Sequence, residues 1–356
     1  MSAPAGFLFA YFTGEHLPDG EQVRFAVSRG DSPLVWDELD GGRPILTSTL
    51  GQGGVRDPFL VRDPIGGGFF LVATDLRIHP HHDWMTCQRT GSRSIVVWQS
   101  PDLVTWSEPW LAEVAGPEAG NVWAPEVTWH EESGSFAVYW ASMLYPEGDP
   151  EHTGDSYNRM LLARTRDFRT FTPASVWVDP GHSVIDSTVI EHDGVFYRFS
   201  KDERDVARDA VGTVGAVGTA GVAVGTEPAT DPTTDPATPL GKSVLLERSA
   251  DLLSTQWEYL VGGIGIHPDP AVGIRRGEGP CVVKSLTEER WYLFIDEYGE
   301  RGYLPFESTD LATGPWTLCA EARLPADPRH GSILAITAAE RDLLLRRFGD
   351  AGASVQ

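Results

Sequence analysis

Basic residues are scarce in this chain: 28 Lys and Arg stand against 51 Asp and Glu, a net charge of −23 over 356 residues. A surface of that sign repels phosphate backbones and anionic lipids, so neither nucleic acid nor a membrane is expected as a partner. Long hydrophobic runs are missing too, and no window approaches the ~18 apolar residues of a membrane helix. Residues 1–6 (MSAPAG) have neither the basic start nor the apolar stretch of a secretory signal. Cysteine is reduced to Cys87, Cys281 and Cys319, an odd number at wide spacing. That pattern supports neither a disulfide framework nor a zinc site, and it suits a reducing cytoplasm, the expected location.

Turn formers and aromatics are plentiful instead. The chain holds 38 Gly, 26 Pro, 12 Trp and 15 Phe, which favours many short strands over long helices. One pattern occurs five times: an apolar strand, a small polar residue, a turn residue such as Asp, then an aromatic. The copies are FAVSRGDSPLVW (25–36), VVWQSPDLVTW (96–106), LLARTRDFRTF (161–171), LLERSADLLSTQW (245–257) and PFESTDLATGPW (305–316). Their aromatics, Trp36, Trp106, Phe171, Trp257 and Trp316, lie 70, 65, 86 and 59 residues apart.

Between the copies lie strand-like runs at 56–62, 124–130, 185–191, 279–285 and 330–337. The first four are followed by partners at 69–75, 135–141, 195–201 and 291–297. Each unit therefore reads as four antiparallel strands A to D, with the aromatic near the start of D. Such units in series predict an all-β chain, a five-bladed β-propeller. The N-terminus supplies strands B, C and D of one blade and the C-terminus supplies its A, so the ring closes by joining the chain ends. One domain, 1–348, is expected. It ends in a short helix over 337–348, where Thr337 precedes apolar residues at helical spacing. Residues 205–240, rich in Gly, Ala, Val and Thr and then Pro, Thr and Asp, read as a disordered low-complexity insertion.

Strand alternation puts the A–B turns on one face and the B–C loops on the other. The B–C loops are the longer, at 76–94, 142–159 and 202–243, so the site is expected on their face. There the A strands begin around the central channel with Arg56-Asp57-Pro58, Ala124-Pro125-Glu126, Ile185-Asp186-Ser187, Glu278-Gly279-Pro280 and Arg329-His330-Gly331. An acidic or imidazole side chain thus falls at the same point of every blade. Carboxylates gathered in one small volume raise one another's pKa, a costly arrangement that points to catalysis or cation binding. Glu126 reads either as support for the site or as a sugar contact. Asp296 and Glu297 end a B strand on the same face.

The segments GVRDPFLVRDP (54–64), NVWAPEVTWH (121–130), SVIDSTVIEHDGVFY (183–197), GEGPCVVK (277–284) and PRHGSIL (328–334) resemble glycoside hydrolase family 43, the five-bladed inverting arabinofuranosidases and xylosidases. The likeness runs from about residue 6 to 340, omitting the insertion. It implies an exo-acting glycosidase with Asp57 as general base, Glu278 as general acid and Asp186 orienting and tuning the acid. Ser187 stands where many members have Pro. Trp84 and Trp123 are expected to pack on sugar faces, with Arg301 as a polar contact. No cofactor is implied, although a histidine at the position of His330 can contact a calcium ion or its water in this family. The expected partner is a small oligosaccharide carrying L-arabinofuranose, with D-xylose as the next choice. A retaining fructan hydrolase would need Trp-Met-Asn-Asp-Pro and Glu-Cys motifs, neither of which occurs. A propeller that binds sugar without cleaving it is the non-enzymatic alternative.

Overall fold

The computed structural model describes residues 3–80, 83–204 and 242–349. The expected insertion at 205–240 lies outside them. Among the described residues twenty strands form five four-stranded antiparallel sheets. The first contains β1 (Pro4–Tyr11), β2 (Arg24–Ser28) and β3 (Trp36–Glu38). Then come β4 (Val55–Arg62), β5 (Phe69–Asp75), β6 (Ser94–Ser100) and β7 (Trp110–Glu113), followed by β8 (Trp123–His130), β9 (Ser135–Met143), β10 (Asn158–Thr165) and β11 (Ser175–Val178). The last two full blades are β12 (Val184–His192), β13 (Val195–Asp202), β14 (Ser243–Ser249) and β15 (Glu258–Ile264), then β16 (Glu278–Lys284), β17 (Trp291–Glu297), β18 (Gly302–Ser308) and β19 (Thr317–Leu318). Strand β20 (Ser332–Thr337) returns to pair with β1, so the first blade takes its A strand from the other end of the chain. The five-bladed propeller and its mode of closure are as the repeat predicts.

The repeat owes its wording to the turn between strands C and D. Hydroxyls of Ser100, Thr165, Ser249 and Ser308 accept from the backbone N–H of Asp102, Asp167, Asp251 and Asp310 at 3.1–3.2 Å. Each of those aspartates then accepts from an N–H two residues on, closing an Asx turn. Trp36, Trp106 and Trp257 donate their indole N–H to the carbonyl three residues back, at 2.8–2.9 Å. The aromatic therefore closes the turn with its polar edge, and its apolar face is free to pack between blades.

Burial is greatest in the B strands, and both β5 and β17 are buried at every residue. One apolar cluster fills each gap between neighbouring blades. Phe70, Val72, Phe136, Trp140 and Phe168 occupy one, and Phe7, Phe9, Tyr11, Phe294 and Tyr303 another. The A strands touch in cyclic order β4, β8, β12, β16, β20. The terminal helix α2 (Ala338–Phe348) has the expected Thr337 cap, with Glu340 completing a capping box. Glu340 also pairs with Arg62 of β4 at 2.7 Å, and Leu344 is buried in the core of the closing blade.

Closure meets the site at Ser332. Its buried hydroxyl donates to the carbonyl of Pro58 at 3.0 Å and accepts from the N–H of Leu60 at 2.8 Å. Ser332→Ala leaves both groups without their partner, so a loss of about 1–3 kcal/mol is expected in urea unfolding.

Candidate active site

Four of the five inner strands begin with the same irregularity. In β4, β8, β12 and β16 the register slips between Arg56 and Phe59, Trp123 and Glu126, Ile185 and Thr188, and Glu278 and Cys281. Two residues thus oppose one on the B strand, a β-bulge. Its first unpaired residue is left-handed each time: Asp57 (φ 49°), Ala124 (φ 47°), Asp186 (φ 53°) and Gly279 (φ 54°). The second is Pro58, Pro125, Ser187 or Pro280, and proline is tolerated because the bulged position donates nothing to the ladder. Ser187, the departure from proline, spends its hydroxyl on Ser200 at 2.7 Å.

This register corrects the equivalence expected from sequence. Asp57 and Asp186 are structural counterparts, but Glu278 precedes its left-handed residue and matches Arg56, Trp123 and Ile185. Glu126 lies two residues beyond Ala124 and matches Phe59, Thr188 and Cys281. His330 precedes β20 by two residues and stands outside the bulge pattern. Gly279 has two reasons to be glycine: its φ, and a Cβ that would lie 2.7 Å from His330.

Asp57 is fixed from within its own blade and from the blade that closes the ring. Thr74 donates its hydroxyl to Oδ2 at 2.8 Å and itself accepts from the N–H of Ala124 at 2.8 Å. His330 Nδ1 stands 3.4 Å from Oδ1. Burial pushes the Asp57 carboxyl up, but His330, Arg56 and Thr74 outweigh it and hold the group below its ordinary range. Asp57 is therefore an ionised carboxylate.

Glu278 is an ion-paired side chain, 22% exposed. Lys201 of β13 donates to Oε2 at 2.6 Å and Arg329 to Oε1 at 3.2 Å. Arg329 also binds Asp296, the residue paired with Glu278 across β16 and β17. Asp186 meets the same strand through the backbone, accepting the N–H of Gly279, the residue after Glu278, at 3.0 Å. Its carboxyl is pushed up to about 7, first by burial, with the charges of Glu278 and Asp57 adding to it against His330 and Lys201.

Glu126 was open between support and sugar contact, and its place favours support. It is 2% exposed, beneath His330, with Oε1 3.7 Å from Nε2. Burial, the larger effect, together with the charge of Asp57 pushes its carboxyl up to about 7 despite His330 and Thr188. Burial opposes a charge on His330, but Asp57, Glu126 and Asp186 outweigh it and hold its pKa well above the ordinary imidazole value. Both ring nitrogens of His330 face carboxylates, Nδ1 toward Asp57 and Nε2 toward Glu126. Among the described residues no group of three or more His, Cys, Asp or Glu is arranged to hold a metal ion.

The loop at 76–94 contains a short helix, α1 (Trp84–Arg89), capped by Asp83. It presents Trp84 at the rim, 41% exposed, edge-to-face with Trp123 at 5.9 Å. The guanidinium of Arg56 lies between the rings of Trp84 and Phe12, 4.8 and 4.7 Å from their centroids, and pairs with Glu15 and Glu21. Arg301 is engaged differently from the expected sugar contact. It donates to Glu297 and to the carbonyls of Pro270 and Gly273, bracing the loop before β16.

Thr74, Lys201 and Arg329 were not singled out from the sequence. Yet Thr74, Ala141, Lys201 and Asp296 are the register partners of Arg56, Trp123, Ile185 and Glu278. Extending the repeat to the ends of the B strands would have placed two of the three.

The profile of a family described as "Probable glycosyl hydrolase domain", related to family 43, matches residues 3–342. The chain belongs to that family. An α-L-arabinofuranosidase of Bifidobacterium longum subsp. longum is 32% identical over 333 residues, which is 86% of this chain but only 28% of that longer protein. A mutant of a family 43 protein from Bacillus licheniformis has the same fold, with a TM-score of 0.52 at 13% identity over 94% of this chain and 55% of that one. An α-L-arabinanase of Penicillium chrysogenum, complexed with arabinobiose, aligns over 92% of this chain and 79% of its own, with a TM-score of 0.48 at 17% identity.

Two expectations follow from this geometry. Asn tolerates the left-handed backbone at position 57 better than Ala, so Asp57→Ala is expected to be less stable than Asp57→Asn by about 1–2 kcal/mol in urea. A carboxyl whose folded pKa is raised gives stability that is complete below its unfolded pKa and lost as pH rises through the folded one. Glu126 therefore costs the wild type stability between about pH 4.3 and 7. Urea midpoints of Glu126→Gln at pH 5 and pH 7 should lie closer together than those of the wild type.

Proposed function

We propose that this chain is an exo-acting, inverting α-L-arabinofuranosidase that acts on arabinose-containing oligosaccharides. The observation that carries the reading is the meeting of Asp57, Asp186 and Glu278 at one channel mouth, in three different electrostatic settings. Inversion needs an ionised carboxylate to activate water on one face of the sugar and a carboxylic acid at the leaving oxygen on the other. Asp57, held below the usual carboxylate range, suits the base. It takes a proton from water as the water oxygen bonds to the anomeric carbon. The bond to the leaving oxygen breaks with its electron pair, and Glu278 donates the proton that neutralises it. Asp186, with its carboxyl at about 7 beside Glu278, keeps a proton within that pair near neutrality.

Arabinose is favoured over xylose by the 32% identity to a protein named α-L-arabinofuranosidase. Trp84 and Trp123, edge to face at the mouth, suit the apolar face of a sugar ring.

A panel of nitrophenyl glycosides, including the α-L-arabinofuranoside and the β-D-xyloside, tests both chemistry and sugar. Glu278→Gln and Asp57→Asn are each expected to lose about 10²–10⁴-fold in kcat/KM. Proton NMR of the first turnovers should show the β-anomer of arabinose; early appearance of the retained anomer would sink the inverting mechanism. Sugar binding without turnover of any glycoside would turn the reading to a binding propeller.

A further inference from the structure

Near the end of β13 lies a buried lysine that the reaction as written does not use. The Lys201 side chain is 5% exposed, and its ammonium lies between two carboxylates: Glu278 Oε2 at 2.6 Å and Glu203 Oε1 at 2.7 Å. Tyr298 closes the site from the turn after β17, its ring centroid 4.6 Å from Nζ. Glu203 in turn pairs with Lys242, immediately before β14. The ion-pair chain thus runs from the acid, through Lys201, to the two residues that flank the segment 205–241.

We propose that Lys201 is a positioning residue for Glu278, and that Glu203 sets how much of the lysine's charge the acid feels. This rests on the reading of Glu278 as the general acid. A carboxyl that must deliver a proton needs a fixed oxygen and a moderated affinity for that proton, and a cation in direct contact controls both. Burial opposes the charge on Lys201, but Glu278, Glu203, Asp186 and Tyr298 outweigh it, so the ammonium is permanent. Burial likewise opposes charge on Glu203, but Lys201 and Lys242 outweigh it and lower its pKa. Asp186 faces the lysine from β12, Glu278 from β16 and Tyr298 from the β17–β18 turn, with Arg276 behind the tyrosine at 5.4 Å. Arg329 holds the other oxygen of Glu278 and is itself tied to Asp296. Because Arg329 already anchors Oε1, Lys201 is free to act on Oε2 alone.

The experiment follows the titration of Glu278 directly and through activity. In [δ-¹³C]glutamate-labelled protein, the Glu278 carboxyl resonance is assigned by its loss in Glu278→Gln. Lys201→Met is expected to raise its midpoint by about 1–3 pH units, Lys201→Arg to leave it near the wild-type value, and Glu203→Gln to lower it. The alkaline limb of kcat/KM on the nitrophenyl arabinofuranoside should move in the same directions, because activity needs the acid protonated. An ion pair that is only structural would change Tm and leave the midpoints alone. A midpoint unmoved in both Lys201→Met and Glu203→Gln overturns the inference, and should Lys201→Met fail to fold, Glu203→Gln decides alone. If the carboxyl midpoint moves but wild type cleaves no glycoside, the proposed function fails while the electrostatic link stands. If wild type cleaves and no midpoint moves, only the link fails.

Discussion

The two-for-one bulge at the start of four inner strands is the constraint on which the site depends. A regular strand would pair these residues and send alternate side chains into the neighbouring blades. The bulge breaks the pairing and turns one residue left-handed, which re-aims the side chains beside it toward the channel. Asp57 and Asp186 use the left-handed position itself, which aspartate tolerates better than most residues. Glu278 takes the position before it, where a longer side chain reaches out from a residue still paired to Asp296. Different reach from the same local geometry is how one repeat brings three carboxyl groups together.

Charge compensation comes next. A chain with a net charge of −23 places Lys201, Arg329, Arg56 and the His330 imidazolium against the carboxylates at the centre of its ring. Carboxylates buried together without such partners would protonate rather than remain charged. The distribution of cations decides which group does what. Asp57, beside His330 and Arg56, stays ionised; Asp186 and Glu126, more deeply placed, are pushed up to about 7.

Much of this was legible in the sequence because it is repeated. The Ser/Thr-x-Asp turn and its closing tryptophan recur with a local physical cause, hydrogen bonds spanning two or three residues, so they survive as a readable pattern. The antiparallel order, the closure by β20 and the capped helix follow from the same local rules. The alignment of the A strands was less secure. Proline after Asp57, Ala124 and Gly279 marked the bulge, but the site carboxylates occupy three different positions around it. Lys201 and Thr74 were hidden because their importance lies across a blade or between blades.

The sequence by itself determined the number of blades, the strand that closes the ring, and Asp57, Asp186 and Glu278 as the carboxylates at its mouth. These depend on periodicity and on turn chemistry, which act over a few residues. Only the tertiary structure decided that Glu126 lies beneath His330, that Arg301 braces a loop, and that Glu278 is shared between Lys201 and Arg329. Glu278 and Lys201 are 77 residues apart and on different blades, and their 2.6 Å contact exists only because those two blades pack side by side. Where a charge finds its partner is settled by packing, and packing at that range leaves no local mark on the chain.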